Sequence, residues 1–256
     1  MEFGLEGKQV LITGGSRGIG LACAKAFAAE GCDLHLVARG VAQLEAARSA
    51  IVKTVSVDVI LHAMDLSRPG AAEEVTAACG SVDVLVNNAG AIPGGSIETV
   101  GETIWRESWD LKVFGYINMT RAILPAMLKR QSGVIVNVIG LAGVNPSYDY
   151  ICGAAGNAAL IAFTRGVGAG TTHRGVRVLG LNPSATRTDR TIALYRQRAE
   201  AALGDETRWE EMLGDLPFGR QAEPREVADL VVFCASERAS YISGTVIDID
   251  GGTLYR

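Results

Sequence analysis

The 256-residue sequence has no excess of basic residues, since 24 Lys and Arg stand against 28 Asp and Glu and the formal net charge is −4. Nucleic-acid-binding proteins carry a basic stripe, so we expect no nucleic-acid partner. No apolar run is long enough to cross a bilayer, which argues against a membrane partner. The first residues lack the basic and apolar regions of a signal peptide, and we therefore expect a cytoplasmic protein.

The chain also has few residues suited to disulfides or metals. Its five cysteines are odd in number and form no Cys-x-x-Cys pair, which predicts reduced thiols in a cytoplasmic protein. The three histidines, His35, His62 and His173, are scattered without the spacing of metal ligands. We therefore interpret them as core or surface residues and expect no metal site.

Glycine, in contrast, is abundant, and one dense cluster follows an apolar segment near the start of the chain. Residues 8–12 are typical of a buried strand, residues 13–20 are rich in glycine, and residues 21–30 are rich in alanine and predict a helix. Strand, glycine turn and helix together suit a pyrophosphate, because glycines allow close approach and the helix N-terminus offers free N–H groups. A turn that merely reverses the chain is the alternative interpretation.

Apolar segments typical of strands alternate with helical segments along the whole chain. After the first strand, the predicted strands are residues 33–38, 57–63, 82–86, 134–139, 177–181 and 246–252. The predicted helices include residues 43–51, 69–79, 103–129 with a kink at Pro125, 154–167 and 224–235. This alternation predicts a parallel sheet covered on both faces. We expect one α/β domain over residues 1–256, a doubly wound Rossmann fold with a seven-stranded parallel sheet.

Several motifs occur in a specific order. They are Thr13-Gly14-Gly15-Ser16-Arg17-Gly18-Ile19-Gly20, Asp65-Leu66, Asn87-Asn88-Ala89-Gly90, Asn182-Pro183, Gly244-Thr245 and Asp250-Gly251-Gly252. With these motifs the chain resembles the short-chain dehydrogenase/reductase family over almost its whole length. The resemblance implies strand order 3-2-1-4-5-6-7, a nicotinamide dinucleotide cofactor, a small-molecule substrate and a homo-oligomer, either a dimer or a tetramer. It implies cofactor contacts from Gly14, Ser16, Arg17, Gly18, Ile19, Gly20, Arg39, Asp65, Leu66, Asn88, Ala89, Gly90, Pro183 and Thr188.

The end of the second strand indicates which nicotinamide cofactor is preferred. NAD enzymes place an Asp or Glu there to bind the ribose 2′-hydroxyl. This chain has Ala38-Arg39 instead, and Arg17 lies in the glycine turn. Two guanidinium groups suit a 2′-phosphate, so we predict NADP(H), with NADPH preferred over NAD(H). The alternative is that Arg39 is only a solvated surface charge.

The sequence differs from the family at all four catalytic positions. The family uses an Asn on the fourth helix, a Ser after the fifth strand, and a Tyr and a Lys four apart on the next helix. Alignment of the flanking segments places Lys112, Gly140, Gly153 and Asn157 at these positions, so that Asn and Lys are exchanged. In the family mechanism the Tyr transfers a proton, the Lys lowers the pKa of that Tyr, and the Ser binds the substrate carbonyl. Gly140 has no hydroxyl group to bind the substrate carbonyl, and Gly153 has no acidic group to transfer a proton.

We hypothesise a rearranged catalytic set of Lys112, Tyr150 and Asn157. Tyr150 is the phenol closest in sequence to the vacated space, with Tyr148 as its substitute, although a helical side chain at 150 would lean away. The alternative is that both tyrosines line a loop or an oligomer contact. Cys152 is better interpreted as a small buried thiol than as a nucleophile.

Residues 188–218 correspond to the variable substrate lid of the family. They and their neighbours offer apolar Leu194, Tyr195, Trp209 and Met212, and cationic Arg187, Arg190, Arg196 and Arg198, although solvated helix faces explain the arginines equally well. The leading hypothesis is an NADP(H)-dependent oxidoreductase acting on a carbonyl or alcohol. The alternative is a catalytically inactive cofactor-binding protein of the same fold, such as a partner subunit in a mixed oligomer.

Overall fold

Short apolar segments form the strands of one parallel sheet. They are β1 (Gln9–Thr13), β2 (Asp33–Ala38), β3 (Val59–Ala63), β4 (Val84–Asn87), β5 (Gly133–Val138), β6 (Val176–Pro183) and β7 (Val246–Ile249). The computed structural model describes residues 2–255, apart from the side chains of residues 198 and 201. The strand order is β3-β2-β1-β4-β5-β6-β7 with parallel pairing, which confirms the expected order. The order reverses between β1 and β4.

Helices cover both faces of the sheet. They are α1 (Gly18–Ala29), α2 (Val41–Val52), α3 (Ala71–Cys79), α4 (Glu102–Trp109), α5 (Gly115–Arg130), α6 (Ile151–Thr171), α7 (Asp189–Leu203) and α8 (Pro224–Ala235). Val10 and Ile12 of β1 pack into a core with α1, α2 and α8, whereas Leu11 packs into a second core with α3 and α5. The alternation follows from the two-residue period of a strand, and it confirms the doubly wound arrangement. None of the described helices is long and apolar enough to span a membrane.

The long helix predicted over residues 103–129 is divided in the structure. A π-helical turn at Asp110–Phe114 separates α4 from α5, whereas α5 continues through Pro125. Such turns are frequent at functional sites because the extra residue changes the direction of nearby side chains. The predicted seventh strand is also too long, because Gly251 and Gly252 have φ angles of 62° and 88° and form a turn after Ile249.

Two histidines that are distant in sequence are neighbours in the fold. His35 on β2 and His62 on β3 lie with Nδ1 and Nε2 3.0 Å apart. The interpretation of the histidines as scattered is therefore wrong for this pair. The reason is that β2 and β3 pair side by side, although a helix separates them in sequence.

Candidate active site

The glycine turn between β1 and α1 depends on residues without a side chain. Gly14 and Gly18 have φ angles of 68° and 55°, in the left-handed region that favours glycine. A Cβ at Gly14 would lie 2.9 Å from Asn88 Nδ2, and a Cβ at Gly20 would lie 2.2 Å from the Gly14 carbonyl oxygen. The turn therefore packs tightly against both the start of α1 and the turn that follows β4.

Hydrogen bonds join this turn to the turn after β4. The Asn88 and Ala89 N–H groups donate to Thr13 Oγ1 at 2.9 and 3.0 Å. Asn88 Nδ2 donates to the carbonyl oxygens of Thr13 and Gly14 at 3.1 and 3.3 Å. The two turns form one unit at the point where the strand order reverses, which is where doubly wound folds bind ligands. The sequence alone contains no signal for this positioning role of Thr13.

A cavity of about 1300 Å³ opens at this end of the sheet. It is larger than the ~300–1000 Å³ typical of a single small-molecule site, so its volume is sufficient for a ligand the size of a dinucleotide. The predicted cofactor contacts that line it are Gly14, Ser16, Arg17, Gly18, Ile19, Arg39, Leu66, Asn88, Ala89, Gly90, Pro183 and Thr188. The remaining two, Gly20 and Asp65, do not line it: Gly20 packs against the turn, and Asp65 accepts hydrogen bonds from the N–H and Oγ of Ser67 at 3.0 and 2.7 Å.

The wall near the end of β2 carries positive charge. Arg17 and Arg39 are exposed and line the cavity, beside Val37, Ala38 and Gly40. Burial opposes ionisation of Asp65, but hydrogen bonds from Ser67 and the charge of Arg39 outweigh it and lower the pKa of this carboxyl group. Asp65 is therefore an ionised carboxylate near Arg39, and its charge partly offsets the positive charge of this wall.

Three side chains bind consecutive carbonyl groups at the end of β5. The carbonyl oxygens of residues 138–140 accept hydrogen bonds from Tyr116 Oη at 2.7 Å, Lys112 Nζ at 2.6 Å and Asn157 Nδ2 at 3.3 Å, in that order. The Oδ1 atom of Asn157 is buried without a hydrogen-bond partner among the described residues, although Asn157 lines the cavity. An unpartnered buried acceptor is costly, and it suits a hydroxyl donor from a ligand.

Lys112 lies in the π-helical turn and faces the cavity. Its stem passes close to Gly90, where an added Cβ would be 2.9 Å from Lys112 Cδ. Burial, and to a smaller extent the charge of Arg190, lower the pKa of Lys112 to about 7. The ammonium and the neutral amine forms of Lys112 are therefore both populated near neutral pH. Arg190 itself lines the cavity and donates a hydrogen bond to the Ile92 carbonyl.

Tyr150 lies beside Gly153. It precedes α6 as the N-cap with φ −142° and ψ 31°, outside helical geometry. A Cβ at Gly153 would lie 2.1 Å from Tyr150 Cε1 and 2.7 Å from its Oη, so the phenol ring occupies the space that a side chain at 153 would need. The expectation that this ring leans away fails because Tyr150 is not helical. Tyr148, in contrast, is 57% exposed and donates a hydrogen bond to Glu98.

The remaining candidates divide between the cavity and its surroundings. Cys152 is fully buried in an apolar cluster with Ile92 and Val100, and burial raises the pKa of its thiol, as expected for an inert cysteine. Leu194, Tyr195 and Arg190 line the cavity. Trp209, Met212 and Arg196 of the lid segment, and Arg187 just before it, are not part of the described lining of the cavity. The side chain of Arg198 lies outside the described residues.

Comparisons with known proteins agree with this geometry. The model of the short chain dehydrogenase family matches residues 8–199. The chain is 32% identical over 252 residues to the 3-oxoacyl-(acyl-carrier-protein) reductase FabG of Vibrio harveyi, with 97% of this chain and 98% of that protein covered. It is 34% identical over 257 residues to the 2-keto-3-deoxy-L-fuconate dehydrogenase of Xanthomonas campestris, with 97% and 80% covered.

A solved structure shows the same architecture. L-sorbose reductase from Gluconobacter frateurii, complexed with NADPH and L-sorbose, superposes with a TM-score of 0.92 at 32% identity, and all of both chains is covered. The chain therefore belongs to the short-chain dehydrogenase/reductase family of oxidoreductases.

Proposed function

We propose that this protein is an NADP(H)-dependent oxidoreductase that interconverts a carbonyl and an alcohol in a small molecule. The position and the lowered pKa of Lys112 are the main support for this proposal. The Lys112 ammonium lies at a cavity that fits a dinucleotide, bound to the Ile139 carbonyl at 2.6 Å, and its pKa is lowered to about 7. A proton donor is most effective when its pKa is near the working pH.

The chain's own residues account for cofactor binding. When bound, a nicotinamide cofactor supplies or accepts a hydride. The glycine turn and the first N–H groups of α1 bind its pyrophosphate. Arg17 and Arg39 bind a 2′-phosphate by charge-assisted hydrogen bonds, which favours NADP(H). The NADPH-bound structure of L-sorbose reductase supports this choice.

Lys112 and Tyr150 replace the acid–base pair of the family in this proposal. During carbonyl reduction the substrate oxygen takes a proton from the Lys112 ammonium, which becomes a neutral amine and is reprotonated from solvent. During alcohol oxidation the amine accepts the proton. Tyr150 Oη, on the Gly153 side of the cavity, is a second donor for the same oxygen, and Asn157 Oδ1 accepts from a ligand hydroxyl.

The segment over residues 188–218 acts as the substrate lid of the single domain. Thr188 caps α7 and its Cγ2 would lie 3.3 Å from a Cβ at Gly18, so the lid begins in contact with the glycine turn. Leu194 and Tyr195 provide an apolar wall, and Arg190 provides a cation on the substrate side. These residues favour a small substrate with both apolar and polar parts.

One observation favours a second function, that of a cofactor-binding protein without catalysis. Lys112 Nζ and Asn157 Nδ2 already have partners in the Ile139 and Gly140 carbonyls, so both residues have a structural role in any case. Gly140 also offers no hydroxyl for a substrate carbonyl. Such a protein would bind NADPH and turn over nothing.

A parallel measurement of binding and turnover separates the two functions. NADPH oxidation is followed against a panel of ketoses, cyclic ketones and 3-oxoacyl thioesters, while cofactor binding is titrated by calorimetry. Turnover of a panel member supports the oxidoreductase. Tight NADPH binding with no turnover across the panel supports the inactive protein, and absence of binding contradicts both.

A further inference from the structure

Three side chains with metal-binding atoms converge outside the cofactor cavity, at one edge of the sheet. They are His35 on β2, His62 on β3 and Cys79 at the end of α3. His62 Nε2 lies 3.0 Å from His35 Nδ1 and 3.5 Å from Cys79 Sγ, and all three atoms lie within 4.8 Å of one another. His35 and Cys79 are buried and His62 is partly buried.

Three separate elements hold this cluster. In the pairing of β2 with β3, His35 is opposite Ile60 and Val37 is opposite His62, so both histidines point to the face that α3 covers. Cys79 is the last residue of α3, and it packs into the core of that face. The three ligand atoms are therefore positioned by two paired strands and a packed helix rather than by a flexible loop.

The spacing of the atoms is close to that of a metal site. Tetrahedral zinc with bonds of about 2.0–2.1 Å to nitrogen and about 2.3 Å to sulfur separates two nitrogens by about 3.3 Å and a nitrogen from a sulfur by about 3.6 Å. The observed distances are 3.0 and 3.5 Å. The three ligand atoms lie within 4.8 Å of one another, so side-chain rotations have to bring them around a common ion.

Burial favours the neutral form of all three side chains, which helps the histidines to bind a cation but opposes loss of the Cys79 proton. Burial lowers the pKa of both histidines, so their rings are neutral at pH 7 and have a lone pair for a ligand bond. Burial raises the pKa of the Cys79 thiol to about 12. A bound cation would replace that proton, because a coordinating thiol is deprotonated. Asp33, whose charge acts on His35, adds a favourable negative potential.

We propose that His35, His62 and Cys79 bind a zinc ion that links the edge strand β3 to α3. Two imidazoles and one thiolate form a donor set typical of zinc, and a water molecule completes the tetrahedron. The ion reaches the cluster from the side of β3, where Ile60 on the same face is 49% exposed and His62 is only partly buried. This proposal is independent of the oxidoreductase activity and replaces the sequence-based expectation of no metal.

Cobalt(II) provides the first test, because a thiolate ligand gives cobalt a charge-transfer absorption in the near ultraviolet. The full chain, without a histidine tag and stripped with a chelator, is titrated with cobalt and then with zinc. We expect one equivalent of cobalt with this absorption, which zinc displaces. The absorption is lost in Cys79→Ser. It remains in Cys234→Ser and His173→Gln, which remove another buried thiol and the third histidine.

Thermal unfolding gives the second test and covers a Cys79 variant that does not fold. Zinc at a hundredfold excess over its Kd should raise Tm of the wild-type chain by roughly 5–10 °C. The rise should be absent in His62→Gln, whose side chain is only partly buried and whose fold is verified by circular dichroism. No cobalt absorption, an absorption that persists in Cys79→Ser, or an equal rise of Tm in His62→Gln would overturn the proposal.

Discussion

Among the residues that line the cavity, Lys112 has the surroundings that best suit a general acid. Its stem packs beside Gly90 and its ammonium binds the Ile139 carbonyl, so Lys112→Met keeps most of the volume but removes the charge, the proton and this hydrogen bond. We expect turnover of an identified substrate to fall by about 10²–10⁴-fold, the usual loss for a missing general acid. NADPH affinity, measured by calorimetry, should change little. Lys129→Met, at an exposed position of α5, is the control, and wild-type turnover by Lys112→Met would contradict the assignment.

The lowered pKa of Lys112 predicts a pH profile of definite sign. Only the ammonium donates a proton, and the pKa is about 7. Carbonyl reduction should therefore be constant at acidic pH and fall about tenfold for each pH unit well above 7, while alcohol oxidation should rise over the same range. Arg190→Gln removes a positive charge that lowers this pKa, so its profile should shift to higher pH. Identical profiles for wild type and Arg190→Gln would show that a different group titrates.

The proposed preference for NADP(H) depends most directly on Arg39. This residue is exposed at the cavity and follows β2 where an NAD enzyme has an acid. Its contact with a 2′-phosphate should contribute roughly 1.5–3 kcal/mol, so Arg39→Ala should weaken NADPH binding by about tenfold or more. NADH binding should be nearly unchanged, since NADH has no 2′-phosphate. Titration of both cofactors measures this, and an equal loss for both would indicate a general effect on the site.

At the scale of elements, helix α6 offers a matched pair of glycines. An added Cβ at Gly153 would meet the Tyr150 ring at 2.1 Å, whereas one at Gly166 of the same helix has no neighbour within 4 Å. Gly153→Ala should displace the ring and lower turnover toward the level of Tyr150→Phe. Gly166→Ala should keep turnover and stabilise the helix by about 0.5–1 kcal/mol, as measured by urea unfolding. Full activity in Gly153→Ala would remove Tyr150 from the proposed catalytic set.

The elements differ in how far the sequence could predict them. β2 and α8 begin and end at the predicted residues, because an apolar run and a proline at the first turn are local signals. The π-helical turn at Asp110–Phe114 has no comparable signal, since the apolar pattern continues through it. The N-cap geometry of Tyr150 and the bond from Lys112 to Ile139 depend on tertiary contacts. Ten of the twelve predicted cofactor-binding residues that line the cavity belong to sequence motifs, whereas the positioning role of Thr13, the Tyr116 hydrogen bond and the histidine pair required the assembled sheet.

At the scale of the whole molecule, the exposed face of α6 predicts association of identical chains. Ala158, Ala159 and Ala162 are exposed there, and Phe114, the last residue of the π-helical turn before α5, is 49% exposed. Small residues allow two helices to approach closely, and apolar surface favours burial. Light scattering should show two or four times the chain mass of 26.9 kDa. Ala162→Arg should shift the distribution toward the single chain without changing the circular dichroism, and a single chain in the wild type would contradict the prediction.

The hydrogen bonds of Lys112 and Asn157 to adjacent carbonyl groups also restrict how such a site could have arisen. An ancestor with the reverse arrangement could not reach the present one by a single substitution. One intermediate carries two lysines, whose ammonium groups repel each other in a poorly solvated pocket, and the other carries two amides and no cation. Neither intermediate keeps the combination of one cation and one amide that both end states have. The two positions are therefore expected to be inherited together, as an epistatic pair in which the effect of each substitution depends on the residue at the other position.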